Sequence, residues 1–99
     1  MIIPKSFCIA GGKKIDVELV NELDDYGTFG NFSCVTSKIK LAKQVQSDGV
    51  TYDVSEEDME RTFLHELCHC MNYYYNCESG EEFAQVFSNF LYEYLKTKQ

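Results

Sequence analysis

The sequence predicts an α+β fold, a small N-terminal antiparallel sheet of three to four strands followed by two helices. Two observations point to it. Up to about residue 43 apolar and polar side chains alternate with period two, and from residue 55 onward the apolar residues recur every three or four positions. At 99 residues the chain has room for one core, so residues 1–99 are read as a single minimal domain.

The elements follow in order. Phe7 and Ile9, then Gly11-Gly12, then Ile15, Val17 and Leu19 alternate on both sides of a two-glycine turn, the pattern of a hairpin with one apolar face. After a turn-prone stretch from Asn21 to Gly27, Phe29, Phe32, Cys34 and Val35 suggest a third strand. Lys38-Ile39-Lys40-Leu41-Ala42-Lys43 suggests a fourth, whose lysines are expected to protect a sheet edge. Residues Gln44 to Val54 read as loop, with Ser47-Asp48-Gly49 as a turn.

Ser55-Glu56-Glu57-Asp58 then has the form of a helix start, with serine at the cap and acids in the first turn. Met59, Phe63, Leu67, Cys70 or Met71, and Tyr74 continue it at helical spacing, so the first helix is expected from about Glu56 to Tyr75. Ser79-Gly80-Glu81-Glu82 repeats the signature, Ser79 capping and Glu82 reaching back. The second helix carries Phe83, Ala84, Phe87, Phe90, Leu91, Tyr94 and Leu95.

Composition removes several functions. Sixteen Asp and Glu against nine Lys and Arg give a net charge of −7, and the longest basic run is Lys13-Lys14, so nucleic acid is not an expected partner. No apolar run approaches the ~20 residues that span a bilayer, so no membrane partner is expected either. The start, Met1-Ile2-Ile3-Pro4-Lys5, lacks the basic and apolar regions of a secretion signal, which predicts a cytoplasmic protein. Five cysteines cannot all pair within one chain. Cys8, Cys34, Cys68, Cys70 and Cys77 are therefore read as reduced thiols, most of them small core residues. Tyr73, Tyr74, Tyr75 and Tyr92, expected at the surface, leave room for a monomer or a weak dimer.

Both histidines of the chain lie in His65-Glu66-Leu67-Cys68-His69, an HExxH pattern in the middle of the first expected helix. Residues four apart on a helix share a face at roughly 5–6 Å, so both imidazoles can reach one zinc ion, with Glu66 one step round as a base rather than a ligand. The plain alternative is two histidines four apart with no metal role. A catalytic zinc takes three protein ligands and keeps one position open. An HExxHxxGxxH arrangement would need glycine at 72 and histidine at 75, where this chain has Asn72 and Tyr75. A carboxylate or a thiolate must serve.

Glu81 and Glu82 are the nearest downstream carboxylates in a helical context. Glu82 falls on the capping-box position after Ser79, whereas Glu81 shares a face with Ala84, Ser88, Leu91 and Leu95, residues suited to packing on the first helix. Glu81 is thus the expected third ligand, the alternative being that both acids only favour the helix dipole. Among the thiols, Cys70 points to the apolar side and Cys68 lies off the histidine face, while Cys77, in the turn, remains a candidate. A closed site of two histidines and two cysteines would leave Glu66 without a role. The tyrosine run after the motif is read as packing rather than as an oxyanion donor.

Over residues 55 to 95 the sequence resembles the small gluzincin-type metallopeptidases, the compact zincin-like domains of phages, mobile elements and the ImmA/IrrE group. The resemblance rests on His65-Glu66-Leu67-Cys68-His69 together with Glu81-Glu82-Phe83-Ala84-Gln85-Val86-Phe87. It implies a zincin-like fold, zinc on His65, His69 and Glu81, Glu66 as general base, and hydrolysis of a peptide or protein substrate. Such a substrate is expected to lie extended along the edge strand near Lys38 to Lys43. The rival expectation is a zinc-stabilised, non-catalytic domain that binds a partner, such as a phage or mobile-element regulator.

Overall fold

The computed structural model describes residues 3–98. The start at Met1-Ile2, part of the stretch that lacks a secretion signal, lies outside the described residues. The chain forms β1 (Ser6–Ile9), β2 (Lys13–Val20), β3 (Gly30–Ser33), β4 (Lys38–Ala42), β5 (Gln44–Ser47), β6 (Val50–Asp53), α1 (Glu56–Tyr74) and α2 (Glu81–Thr97). It is an α+β fold with the strands first and two helices after them, as the sequence predicts. Among the described residues no helix is long and apolar enough to cross a membrane.

The two-glycine hairpin forms with Phe7 opposite Ile15 and Ile9 opposite Lys13. Its turn needs left-handed backbone at Ala10 (φ 49°) and Gly11 (φ 76°), and the Gly12 amide donates to the Ile9 carbonyl at 3.0 Å.

The sheet departs from expectation at β4. Its four strands run in the order β1-β2-β4-β3, with β4 parallel to β2 and antiparallel to β3, so the sheet is mixed and Lys38 to Lys43 is not an edge. Alternating lysines marked an open face instead. Ile39 and Leu41 are fully buried against α1, while Lys38 reaches Glu18 of β2 at 3.2 Å on the other side. Period two tells which face is wet and says nothing about lateral neighbours. The true edges are β1 and β3.

The stretch from Gln44 to Val54, read as loop, is a second hairpin, β5-β6, whose Asp48 (φ 52°) and Gly49 (φ 76°) make the two-residue turn. Only Val45 of these two strands is buried, so they show little of the apolar alternation that announces a strand.

Ile15, Ile39 and Leu41 of the sheet pack with Phe63, Leu64 and Cys70 of α1 and Tyr92 of α2 as the main core. Leu23, Ala42, Val45 and Val54 form a smaller one beside it. α1 is thereby the middle layer, with the sheet on one side and α2 on the other. The Ser55 hydroxyl caps α1 by accepting from the Asp58 amide at 3.1 Å, as expected. At the other end Asn76 (φ 53°) turns left-handed and the Cys77 amide donates to the Asn72 carbonyl, a Schellman closure.

The tyrosine run anchors this end of α1 to the sheet. Tyr73 and Tyr74 pack edge-on to Phe32, Tyr74 meets the Ser37 hydroxyl, and the Tyr75 hydroxyl accepts from the Ala10 amide. Tyr92, expected at the surface, is buried with the Arg61 guanidinium 4.2 Å from its ring centre. Of the five free thiols only Cys68 and Cys70 are core residues; Cys8, Cys34 and Cys77 are exposed because they lie on an outer strand or in turns.

One close approach fixes β3 against α1. A Cβ on Gly30 would lie 2.7 Å from the Thr62 methyl and 3.2 Å from the Lys40 carbonyl oxygen, and the carbonyl belongs to the sheet and cannot rotate away. Gly30→Ala is expected to destabilise the fold by about 1–3 kcal/mol, seen as a lower urea midpoint at unchanged slope.

Candidate metal centre

His65 and His69 sit one turn apart on α1, with ring centres 5.0 Å from each other. The exposed side of that turn faces the start of α2. There both imidazoles meet one carboxylate: His65 Nε2 contacts Glu81 Oε1, and His69 Nε2 lies 3.2 Å from Glu81 Oε2. The side chains of His65 and Glu81 are 15% and 70% exposed, so the three donors form an open site on the surface rather than a closed cage.

Glu81 is where the sequence puts the third ligand, but the capping reasoning that separated it from Glu82 does not hold. The cap of α2 is Gly80, with no side-chain hydrogen bond, and no capping box forms. Ser79 is engaged elsewhere: its hydroxyl donates to Asn72 Oδ1 at 2.8 Å, and Asn72 Nδ2 donates to the Ser79 carbonyl at 3.2 Å. This clamp between the last turn of α1 and the turn before α2 makes Glu81 the first helical residue, against the histidines. Glu82 is exposed, about 100° further round the helix. Asn72, noticed in the sequence only as a missing glycine, positions the site.

Glu66 is buried, 7% exposed, yet belongs to the same cluster: ligand atoms of His65, Glu66 and His69 all lie within 4.8 Å of one another. Burial pushes its carboxyl up to about 7, His69 opposing the rise and Glu81 adding to it. A divalent cation alongside would draw it down again, leaving a carboxylate at neutral pH. The thiols are poor competitors. Burial, and Glu66 nearby, raise both Cys68 and Cys70, the latter to about 12, so both stay protonated; Cys77 is exposed in the turn and, among the described residues, does not join the cluster at the histidines.

The site opens into a cleft of about 420 Å³ between β3 and the two helices. Phe29 and Gly30 form one wall, Arg61 and Thr62 the floor beside His65, and Gln85 and Asn89 the other wall. None of these was assigned to the site from sequence. The signal was there in part, since Arg61 and Thr62 precede His65 by four and three residues and Gln85 follows Glu81 by four, the spacings that share a helix face. Phe29 and Gly30 carry no such signal, because strand pairing alone brings them here. Arg61 is already engaged, donating to Asn89 Oδ1 at 2.6 Å and lying 3.6 Å from Glu57 and 3.8 Å from Glu93. None of the three tyrosines lines the cleft.

No protein-family model matches this chain, and no curated protein or solved structure matches it significantly.

Proposed function

We propose that this chain is a minimal zinc-dependent peptidase of the small gluzincin type, in which His65, His69 and Glu81 hold one Zn²⁺ and Glu66 is the general base. The observation that carries this is the convergence of donors. Two imidazoles from one helix and a carboxylate from another meet at a single solvent-facing point, with a second, buried carboxylate beside them. Two nitrogen donors and one carboxylate, with an open side, make the ligand set of a catalytic zinc site. When bound, the ion supplies Lewis acidity to a carbonyl oxygen and makes water acidic enough to attack near neutral pH.

The chain's own groups supply the rest. Glu66 takes the proton of the attacking water on its carboxylate and passes it to the departing amine. Glu66 lines the cleft beside the histidines, within reach of a water held there. An extended peptide fits the free edge of β3 rather than β4, because β4 is paired on both sides and β3 borders the cleft through Gly30.

Elemental analysis of the purified chain is expected to give one zinc per chain, and hydrolysis of an unfolded protein such as casein is expected to stop on chelation and return with added zinc. A chain that takes up no zinc and gains no thermal stability from it would remove the metal reading.

A further inference from the structure

α2 has two apolar faces and the fold covers only one of them. Ala84, Ser88 and Tyr92 are buried, whereas Phe83, Val86, Phe87, Phe90 and Tyr94 form a continuous stripe on the outer side, each between 40% and 66% exposed. Phe83 and Phe87 stack at 5.4 Å, and Phe87 meets Phe90 at 6.3 Å. The spacing 83, 87, 90, 94 alternates four and three, the pattern of a seam between two packed helices. It is separate from the metal centre, which uses the opposite side of the same helix.

We propose that this stripe is the interface of a homodimer, with two copies of α2 packed antiparallel about a two-fold axis between Phe87 and Phe90. In that register Phe83 faces Tyr94 of the second copy and Phe87 faces its Phe90, so each aromatic of the stripe meets another. A two-fold contact requires a patch to be complementary to itself in this way.

Area and the helix dipole favour a second copy on this face. Four half-exposed aromatics and a valine offer about 500 Å² per copy, in the upper part of the range for the largest patch of a monomer; full burial of both stripes removes about 1,000 Å², close to the minimum area of a specific interface. Antiparallel packing sets the N-terminal end of each α2 beside the C-terminal end of the other, so the two helix dipoles oppose and attract, while Glu81 and Lys96 stay with the histidines and with Glu60 on the inner side. Parallel packing would set like ends together.

The test is equilibrium sedimentation of the full chain over micromolar to submillimolar concentration, with a dimer expected. Phe90→Glu is expected to raise the dissociation constant at least about 30-fold with an unchanged far-UV spectrum, since Phe90 is largely exposed in the single chain. Should the charge unfold the helix, Phe90→Ala must show the same direction. Orientation is read by spin labels on Lys98→Cys, with Cys8, Cys34 and Cys77 changed to serine. Antiparallel packing puts the two labelled sites about 30 Å apart. A chain that stays monomeric, a dimer indifferent to Phe90, or a short distance between the labels would each overturn the proposal. None of these readouts depends on zinc or on hydrolysis.

Discussion

Glu66→Gln is expected to lower peptide hydrolysis by about 10²–10⁴-fold while zinc stoichiometry and affinity stay as in the unaltered chain. The substitution keeps size and hydrogen-bonding capacity but removes the ability to accept and release a proton. The Glu66 side chain is buried in the centre of α1, and it is Glu81 that contacts both imidazoles, so the substitution leaves His65, His69 and Glu81 in place. Zinc titration and steady-state kinetics on the same preparation separate the two effects. If the glutamine variant hydrolysed peptides as fast as the parent, Glu66 would be a buried structural carboxylate and the peptidase reading would fail. Zinc binding with no hydrolysis in either protein would favour the non-catalytic, partner-binding role.

Glu81→Ala is expected to weaken zinc binding at least about 100-fold, beyond the 10–100-fold that losing an outer partner of a ligand usually costs. At a zinc concentration well above the dissociation constants of both proteins, that loss removes about 2.7 kcal/mol of ligand stabilisation. For a domain of this size it is a fall of more than ~10 °C in the melting temperature of the zinc-loaded protein. Without zinc the same variant should change little, because Glu81 is 70% exposed and an exposed contact contributes about 0–1 kcal/mol. Comparing melting temperatures with zinc and with chelator isolates the ligand effect. Glu82→Ala is the control and should behave as the parent; the reverse outcome, Glu82 decisive and Glu81 silent, would reassign the third ligand.

The helices were more legible than the sheet. Ser55 and the acids after it have one local solution, a capped helix start, and the structure adopts it. The same signature at Ser79 misled, because a second partner, Asn72, lay one helix away and took the serine hydroxyl. The lysines from Lys38 to Lys43 correctly announced a wet face. They could not announce that β2 lies parallel on one side and β3 antiparallel on the other, since strand order is set by how loops cross and which hydrophobic faces meet. The exposed aromatics of α2 also escaped notice. In sequence Phe83, Phe87 and Phe90 look like core, and only the position of α1 shows which side of the helix is covered.

By itself the sequence determined what depends on neighbours a few residues apart: the α+β order, the first helix and its cap, and the two histidines and Glu66 brought onto one turn by a repeat of 3.6 residues. The tertiary structure decided what depends on contacts across long separations. It carried Glu81 to the histidines over a 16-residue interval, closed one wall of the cleft with the start of β3, and left the aromatic stripe of α2 in solvent. Helical geometry is fixed locally by backbone hydrogen bonds, whereas the meeting of separate elements is fixed by the shared burial of Ile15, Ile39, Leu41, Phe63 and Tyr92, which no single segment contains.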